Sequence, residues 1–179
     1  LIIDPLTFQV ENTYEPGSKS VEILPVNSGQ SLLIALPDFD DNDKTEDGEI
    51  RQIALSDGHT EANYVFTSSM PLSMIVDSQE HYAYVANAEQ NFYETRITKL
   101  DITTNPFTII GDEPEIGMFP TNFAITHDDS KLYISDTTGY ENPIEGGASR
   151  RIHVFGTNGT SSIVTLPVSY THLTLPTNR

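Results

Sequence analysis

The stretch Pro71 to Asn87 (PLSMIVDSQEHYAYVAN) aligns without a gap on Pro120 to Asp136 (PTNFAITHDDSKLYISD), 49 residues further along the chain. In both copies a proline leads an apolar alternation, a polar turn follows, and a tyrosine-centred strand ends on an amide or an acid. A duplication of this length points to a repeated supersecondary unit, which buries its apolar surface by stacking on its neighbours.

Each copy is followed by a second matching block, Ile97 to Ile102 (ITKLDI) and Ile152 to Thr157 (IHVFGT). An earlier copy runs through Ser20 to Asp38 and Ile50 to Leu55, with one small register shift. Every second block then meets a turn signal and a short β-rich run: Asn63 to Thr67 after SDG, Phe107 to Ile110 after TTNP, and Ser162 to Leu166 after TNGT. Four strands, a to d, in a unit of about 50 residues correspond to one blade of a β-propeller. Apolar residues recur at every second position, as in Met74 and Val76 or Phe123 and Ile125, and no stretch sustains helical spacing. The expected fold is therefore all-β: a partial propeller of about three four-stranded antiparallel blades. They cover residues 18–68, 69–117 and 118–167, with 1–17 supplying the end of a preceding blade. A β-sandwich of similar hairpins is the rival architecture, but it needs no repeat.

The chain opens at Leu1 with strand c of a blade already under way. At its other end, Val168 to Thr177 (VSYTHLTLPT) resembles one reading frame of a common transposon-type sequencing adapter. Residues 168–179 are accordingly expected to be a non-native tail. Residues 1–167 are expected to be a piece of a larger propeller that would not be stable alone, since closed rings use roughly four to eight blades.

With 26 acidic against 9 basic residues, the chain carries a net charge of −17. That balance repels nucleic acid and anionic membrane surfaces. No apolar run approaches the ~18 residues needed to span a bilayer as a helix. The absence of cysteine removes disulfides and thiol nucleophiles but leaves the compartment open. The expected setting is secreted, periplasmic or cell-envelope.

Acidic residues concentrate between strands b and c of the first full blade, in Pro37 to Glu49 (PDFDDNDKTEDGE). Asp38, Asp40, Asn42, Glu46 and Glu49 occupy the first, third, fifth, ninth and twelfth places of a twelve-residue calcium loop, so Ca2+ is the candidate cofactor. Asp43 stands where such a loop places glycine, and Thr45 where it places an apolar residue. A solvated acidic loop is the alternative reading.

All the long connections, Pro37 to Glu49, Ala88 to Arg96, Gly111 to Phe119 and Thr137 to Arg151, fall between strands b and c or between d and the next a. In a propeller these open on one face, and loops longer than the connection requires carry function or disorder. Phe92, Tyr93, Phe119 and Tyr140 on those loops either line a surface for a small molecule or protein or cover the blade tops.

The strings AYVAN (Ala83 to Asn87) and LYISDT (Leu132 to Thr137) resemble the repeat signature of YVTN-type propellers, which implies a secreted or cell-envelope repeat protein. The blade from Phe119 to Phe155 is also similar to the gluconolactonase and regucalcin-like family, which implies a six-bladed, metal-dependent lactone hydrolase. That family takes a metal ligand from the asparagine directly after a proline. Here Thr121 holds that place and Asn122 comes one residue later, a slip that turns the side chain to the other face unless a bulge intervenes.

Neither a GxSxG elbow, an HExxH pair nor a glycine-rich phosphate loop is present. His127, Asp128 and Asp129 fall in an a–b turn, where aspartates bond to backbone amides, and His81 and His153 read as packing or surface residues. Asn87 and Asp136 close strand b in equivalent places and suggest a recurring turn role. Two functions follow as expectations. One is a non-enzymatic envelope module that binds through its long-loop face; the other is a metal-dependent lactonase or related hydrolase.

Overall fold

The computed structural model describes residues 2–3, 6–7, 9–12, 20–37, 48–55, 60–67, 70–88, 95–115, 120–136, 150–157 and 166–168. Among them the chain forms strands only. Blade 1 is built from β3 (Glu22–Val26), β4 (Ser31–Leu36), β5 (Gly48–Ala54) and β6 (Thr60–Thr67). Blade 2 comprises β7 (Met70–Val76), β8 (Tyr82–Ala88), β9 (Thr95–Asp101) and β10 (Thr108–Glu115), and blade 3 comprises β11 (Pro120–Ile125), β12 (Lys131–Asp136), β13 (Arg150–Gly156) and β14 (Leu166–Val168). Each is an antiparallel meander in chain order, and β1 (Ile2–Ile3) pairs with β2 (Val10–Asn12) ahead of them. These are the a to d strands expected from the repeat.

Alternation explains how the blades stack. On β8, Ala83 and Val85 join Leu100 and Met74 in a cluster with Val26, Leu33, Ala35 and Ile50 of blade 1. The intervening Tyr84 and Ala86 join Ile97 in a second cluster with Leu132, Ile134 and Phe155 of blade 3. A strand covered on both faces must be apolar at both parities, which is why SLLIAL and YAYVANA lack the polar-out positions of a half-exposed strand. The main inter-blade contacts run through β7, against β3, β4 and β5 on one side and β11 on the other. First strands thus converge, as wedge-shaped blades around an axis require.

A bulge follows the leading proline in both aligned copies. Pro71 pairs with Asn87 but Ser73 with Ala86, and Pro120 pairs with Asp136 but Asn122 with Ser135, so Leu72 and Thr121 are the extra residues. The final strand differs from expectation in position. Within the expected run Ser162 to Leu166 only Leu166 is described; β14 extends to Val168, which pairs with Arg150 and so carries the ladder into the adapter-like segment. The open edge on β13 accounts for that pairing, and as an edge strand β14 tolerates Pro167, which has no N–H to give.

Replacing Leu100, fully buried between blades 1 and 2, by alanine should cost about 2–5 kcal/mol. The same change at exposed Ile109 should stay within about 0.5 kcal/mol. Urea unfolding followed by circular dichroism separates the two, and equal midpoints would contradict face-to-face stacking.

Candidate functional site

The blades present two unlike ends. At one end lie the a–b and c–d turns, and the hydrogen bonds of the a–b turns repeat, although in blade 1 Asn27 and Ser28 are left-handed as well, at φ 53° and 54°. The turns Asn27–Gln30, Ser78–His81 and His127–Ser130 each return an N–H from the third residue to the strand before: Gly29 to Val26 O (3.1 Å), Glu80 to Asp77 O (3.0 Å) and Asp129 to Thr126 O (2.8 Å). The third residue is left-handed in each, at φ 82°, 54° and 54°. The fourth residue's carbonyl accepts from the end of strand c, as Leu55, Ile102 and Thr157 donate to Gln30, His81 and Ser130 over 2.9–3.2 Å.

Glu80 and Asp129 thus occupy the same place in successive blades, and both reach back to the blade before. Glu80 Oε2 accepts from the amides of Asn27 and Ser28. Asp129 accepts from the Ser78 amide at 3.0 and 3.1 Å and from its hydroxyl. Each clasp joins the first residue of one turn to the third of the next. A left-handed glutamate or aspartate costs about 1–2 kcal/mol, and a charged acceptor bonded to two donors offsets it.

Other turn polar groups are used locally. Asp128 Oδ1 accepts from the Ser130 amide (3.1 Å) and hydroxyl (2.8 Å). Hydrogen bonds from Thr126 and then Ser130 lower its carboxyl from 3.8 to about 2. Asp101 Oδ1 accepts likewise from Thr103 in the c–d turn of blade 2, which holds that carboxyl below its ordinary value. His127 is exposed, His81 is exposed, and His153 is buried in a stack with Phe155 (6.4 Å, 19°). Asp128 therefore bonds to backbone as the sequence suggested, whereas the inter-blade reach of Glu80 and Asp129 went unread.

The opposite end carries the long connections. Asp38, Asp40, Asn42 and Glu46, like Phe92, Tyr93, Phe119 and Tyr140, lie outside the described residues. Glu49 is described: it stands on β5, where both carboxylate oxygens accept from Arg51 at 2.8 Å. No group of three or more metal-binding side chains occurs among the described residues.

Two buried polar atoms without a partner mark this end of blade 2. Asn87, 2% exposed near the end of β8, donates from Nδ2 to Thr98 Oγ1 (2.7 Å), while its Oδ1 has no partner. It is a sheet residue, not the turn residue its position suggested. Thr95, fully buried at the start of β9, leaves its hydroxyl unpartnered. The residues 89–94 that join β8 to β9 run between them in sequence. Opposite, on blade 3, the bulge at Thr121 pairs Asn122 with Ser135 and leaves Asn122 exposed.

No protein-family model matches the chain, and no curated protein matches it.

Two outcomes test the turn end. Asp129→Ala should lower stability by about 1–2 kcal/mol through loss of the acceptor, and Asp129→Asn, which keeps one acceptor oxygen, by less; thermal unfolding reads both. Equal losses would assign the effect to charge alone. Asp128 has a folded-state value below its unfolded one, so its contribution is present above pH 3.8 and is lost as pH falls towards 2. Acid titration of the Ser130 amide signal by NMR should show a transition in that window, absent in Asp128→Asn.

Proposed function

We propose that these blades belong to a secreted or cell-envelope binding module of the YVTN propeller type, which engages a ligand or protein through its long-loop end without a catalytic step. The observation that carries this reading is the contrast between the two ends. At the turn end the acceptors and donors described above are matched across blade boundaries. At the other, Asn87 Oδ1 and Thr95 Oγ1 are buried and unmatched. A buried unsatisfied polar atom costs about 1–3 kcal/mol. Polar atoms retained at such cost beside the long connections suit recognition better than packing. Aromatic Phe92, Tyr93, Phe119 and Tyr140 supply the contact surface in this proposal, and Ca2+ held by Asp38, Asp40, Asn42, Glu46 and Glu49 orders the first connection. Glu49 would exchange Arg51 for the ion. No helix among the described residues is long and apolar enough to cross a membrane.

The second reading, a metal-dependent lactone hydrolase, has one observation in its favour. The bulge needed to re-aim Asn122 after Pro120 is present.

Thr95→Val keeps the shape and removes the unmatched hydroxyl, so it should raise stability by about 1 kcal/mol. A lowered melting temperature would show the hydroxyl to be satisfied in solution and would remove the support for this reading. Calcium titration by calorimetry should give a dissociation constant in the range of extracellular calcium modules, roughly 10⁻⁴ to 10⁻³ M. Asp38→Asn with Asp40→Asn should abolish the heat. Lactone hydrolysis with divalent metals should remain at the uncatalysed rate; turnover that disappears in Asn122→Ala would replace the binding module by the hydrolase.

A further inference from the structure

Of the three outer strands described, β6 presents the long and regular edge. It runs for eight residues, contains no proline and carries one charged residue, Glu61. From Gly48↔Thr67 to Gln52↔Asn63 it pairs residue by residue with β5, and its one bulge falls outside that stretch. Strand β10 shifts register twice and ends on Asp112 to Glu115 (DEPE), while β14 has three residues and contains Pro167. Bulges, charges, proline and shortness are the devices that keep an edge from pairing, and β6 uses the fewest of them. Among the described residues it pairs with β5 only, so every second residue directs its N–H and C=O outward.

That edge is one wall of a groove of about 430 Å³. Four consecutive residues, Asn63, Tyr64, Val65 and Phe66, line it. Neighbouring side chains of a strand point to opposite faces, so all four reach one space only along their shared backbone edge. The other wall is the c–d turn of blade 2, Asn105, Pro106 and Phe107. Asn63 fixes the spacing between the walls: its Nδ2 donates to Thr104 O (2.8 Å) and its Oδ1 accepts from Phe107 N (3.2 Å). The groove is thereby preorganised, which lowers the cost of filling it.

Along the edge the side chains alternate. Val65, paired with Ile50, packs towards blade 2, so Tyr64 and Phe66 share the face turned away from it. They are 45% and 55% exposed and meet edge to face, centroids 5.4 Å apart. Blade stacking does not account for these rings. They stand opposite Arg51 and Glu49, whereas the matching residues of β9, Thr98 and Arg96, stand opposite Asp112 and Glu115. On blade 2, where a preceding blade is in place, the equivalent positions are acids. Rings at alternate places of an open edge suit apolar side chains of a further strand at the same spacing, and the −17 net charge of the chain favours a basic one. We infer that β6 takes up an extended basic segment of a partner protein as a fifth strand of blade 1, its apolar residues set at every second position against Tyr64 and Phe66. This seat lies on the outer rim of the blade and does not depend on the proposed role of the long loops.

The test is NMR titration of the full chain with the acetylated, amidated octapeptide KTVTVTVK and its acidic counterpart ETVTVTVE. The basic peptide should give saturable shifts of the backbone amides of residues 63–66, and the acidic one should bind about tenfold more weakly. N-methylation of one alternate set of peptide amides should abolish binding, while methylation of the other set spares it, because only one set faces β6. Replacing both exposed rings, Tyr64→Ser with Phe66→Ser, should weaken the basic peptide about tenfold with the β-sheet circular dichroism preserved. No saturable shift, equal affinity for the two peptides, equal behaviour of the two methylated sets, or unaltered affinity in the double variant would overturn the inference. So would a dimer of the free chain that protects the same amides, which would assign the edge to a second copy.

Discussion

Both faces of strand β8 are covered, one by blade 1 and the other by blade 3, and the rest of the architecture depends on that double burial. A four-stranded meander is too thin to enclose a core of its own, so its apolar residues are sequestered only between sheets. Odd positions of β8 serve one interface and even positions the other. One consequence is that side-chain size is set by two neighbours: each face pairs a small residue with a larger one, Ala83 with Val85 and Ala86 with Tyr84, so the strand fits a space bounded on both sides. A second consequence is that stability is a nearest-neighbour sum, in which each junction matters more than any single blade.

Packing alone leaves neighbouring blades free to slide, because apolar contact is non-directional. Direction comes from polar links at defined heights. Met74 N donates to Glu22 on the inner strand, and Asn63 ties the outer strand of blade 1 to the c–d turn of blade 2. Glu80 and Asp129 link the turn ends, while Lys99 bonds Thr157 O (3.2 Å) from above the Tyr82 ring (4.2 Å). These links gather on the strands and the turn end of the junctions. The far end is thereby left to connections whose length the fold does not dictate, the usual division between scaffold and recognition surface.

The repeat, the four strands per unit and the antiparallel order were legible in the sequence, because period-two alternation and turn residues are local signals. Blade 1 was legible only with a register shift, and the structure gives its reason: Gly29, Glu80 and Asp129 are the equivalent turn positions, which places Asn27 opposite Ser78 and not Asp77. The clasps were not legible. They are assembled from residues about 50 apart whose letters differ, and a turn acid looks the same whether it bonds inward or to a neighbour. One signal was present nonetheless, since Glu80 and Asp129 align in the gap-free repeat. The buried Asn87 was visible as an alignment position, but its sideways bond to Thr98 depends on strand pairing that no local pattern specifies.

The two clasps also show how a geometry persists while its residues change. Glutamate is longer by one methylene, and from blade 2 it spans two successive amides, Asn27 and Ser28. Aspartate on blade 3 is shorter and meets one amide, Ser78, whose own hydroxyl completes the carboxylate's second bond. Asn27 has no hydroxyl to offer, and its amide is turned to Ser31, so a reach to the next backbone N–H is the remaining way to satisfy the acceptor. What repeats from blade to blade is the left-handed third residue and the direction of its carboxylate. Gly29 keeps the first without the second: it has no side chain to send such a link backwards, and its turn differs in backbone too, since Asn27 and Ser28 are also left-handed at φ 53° and 54°.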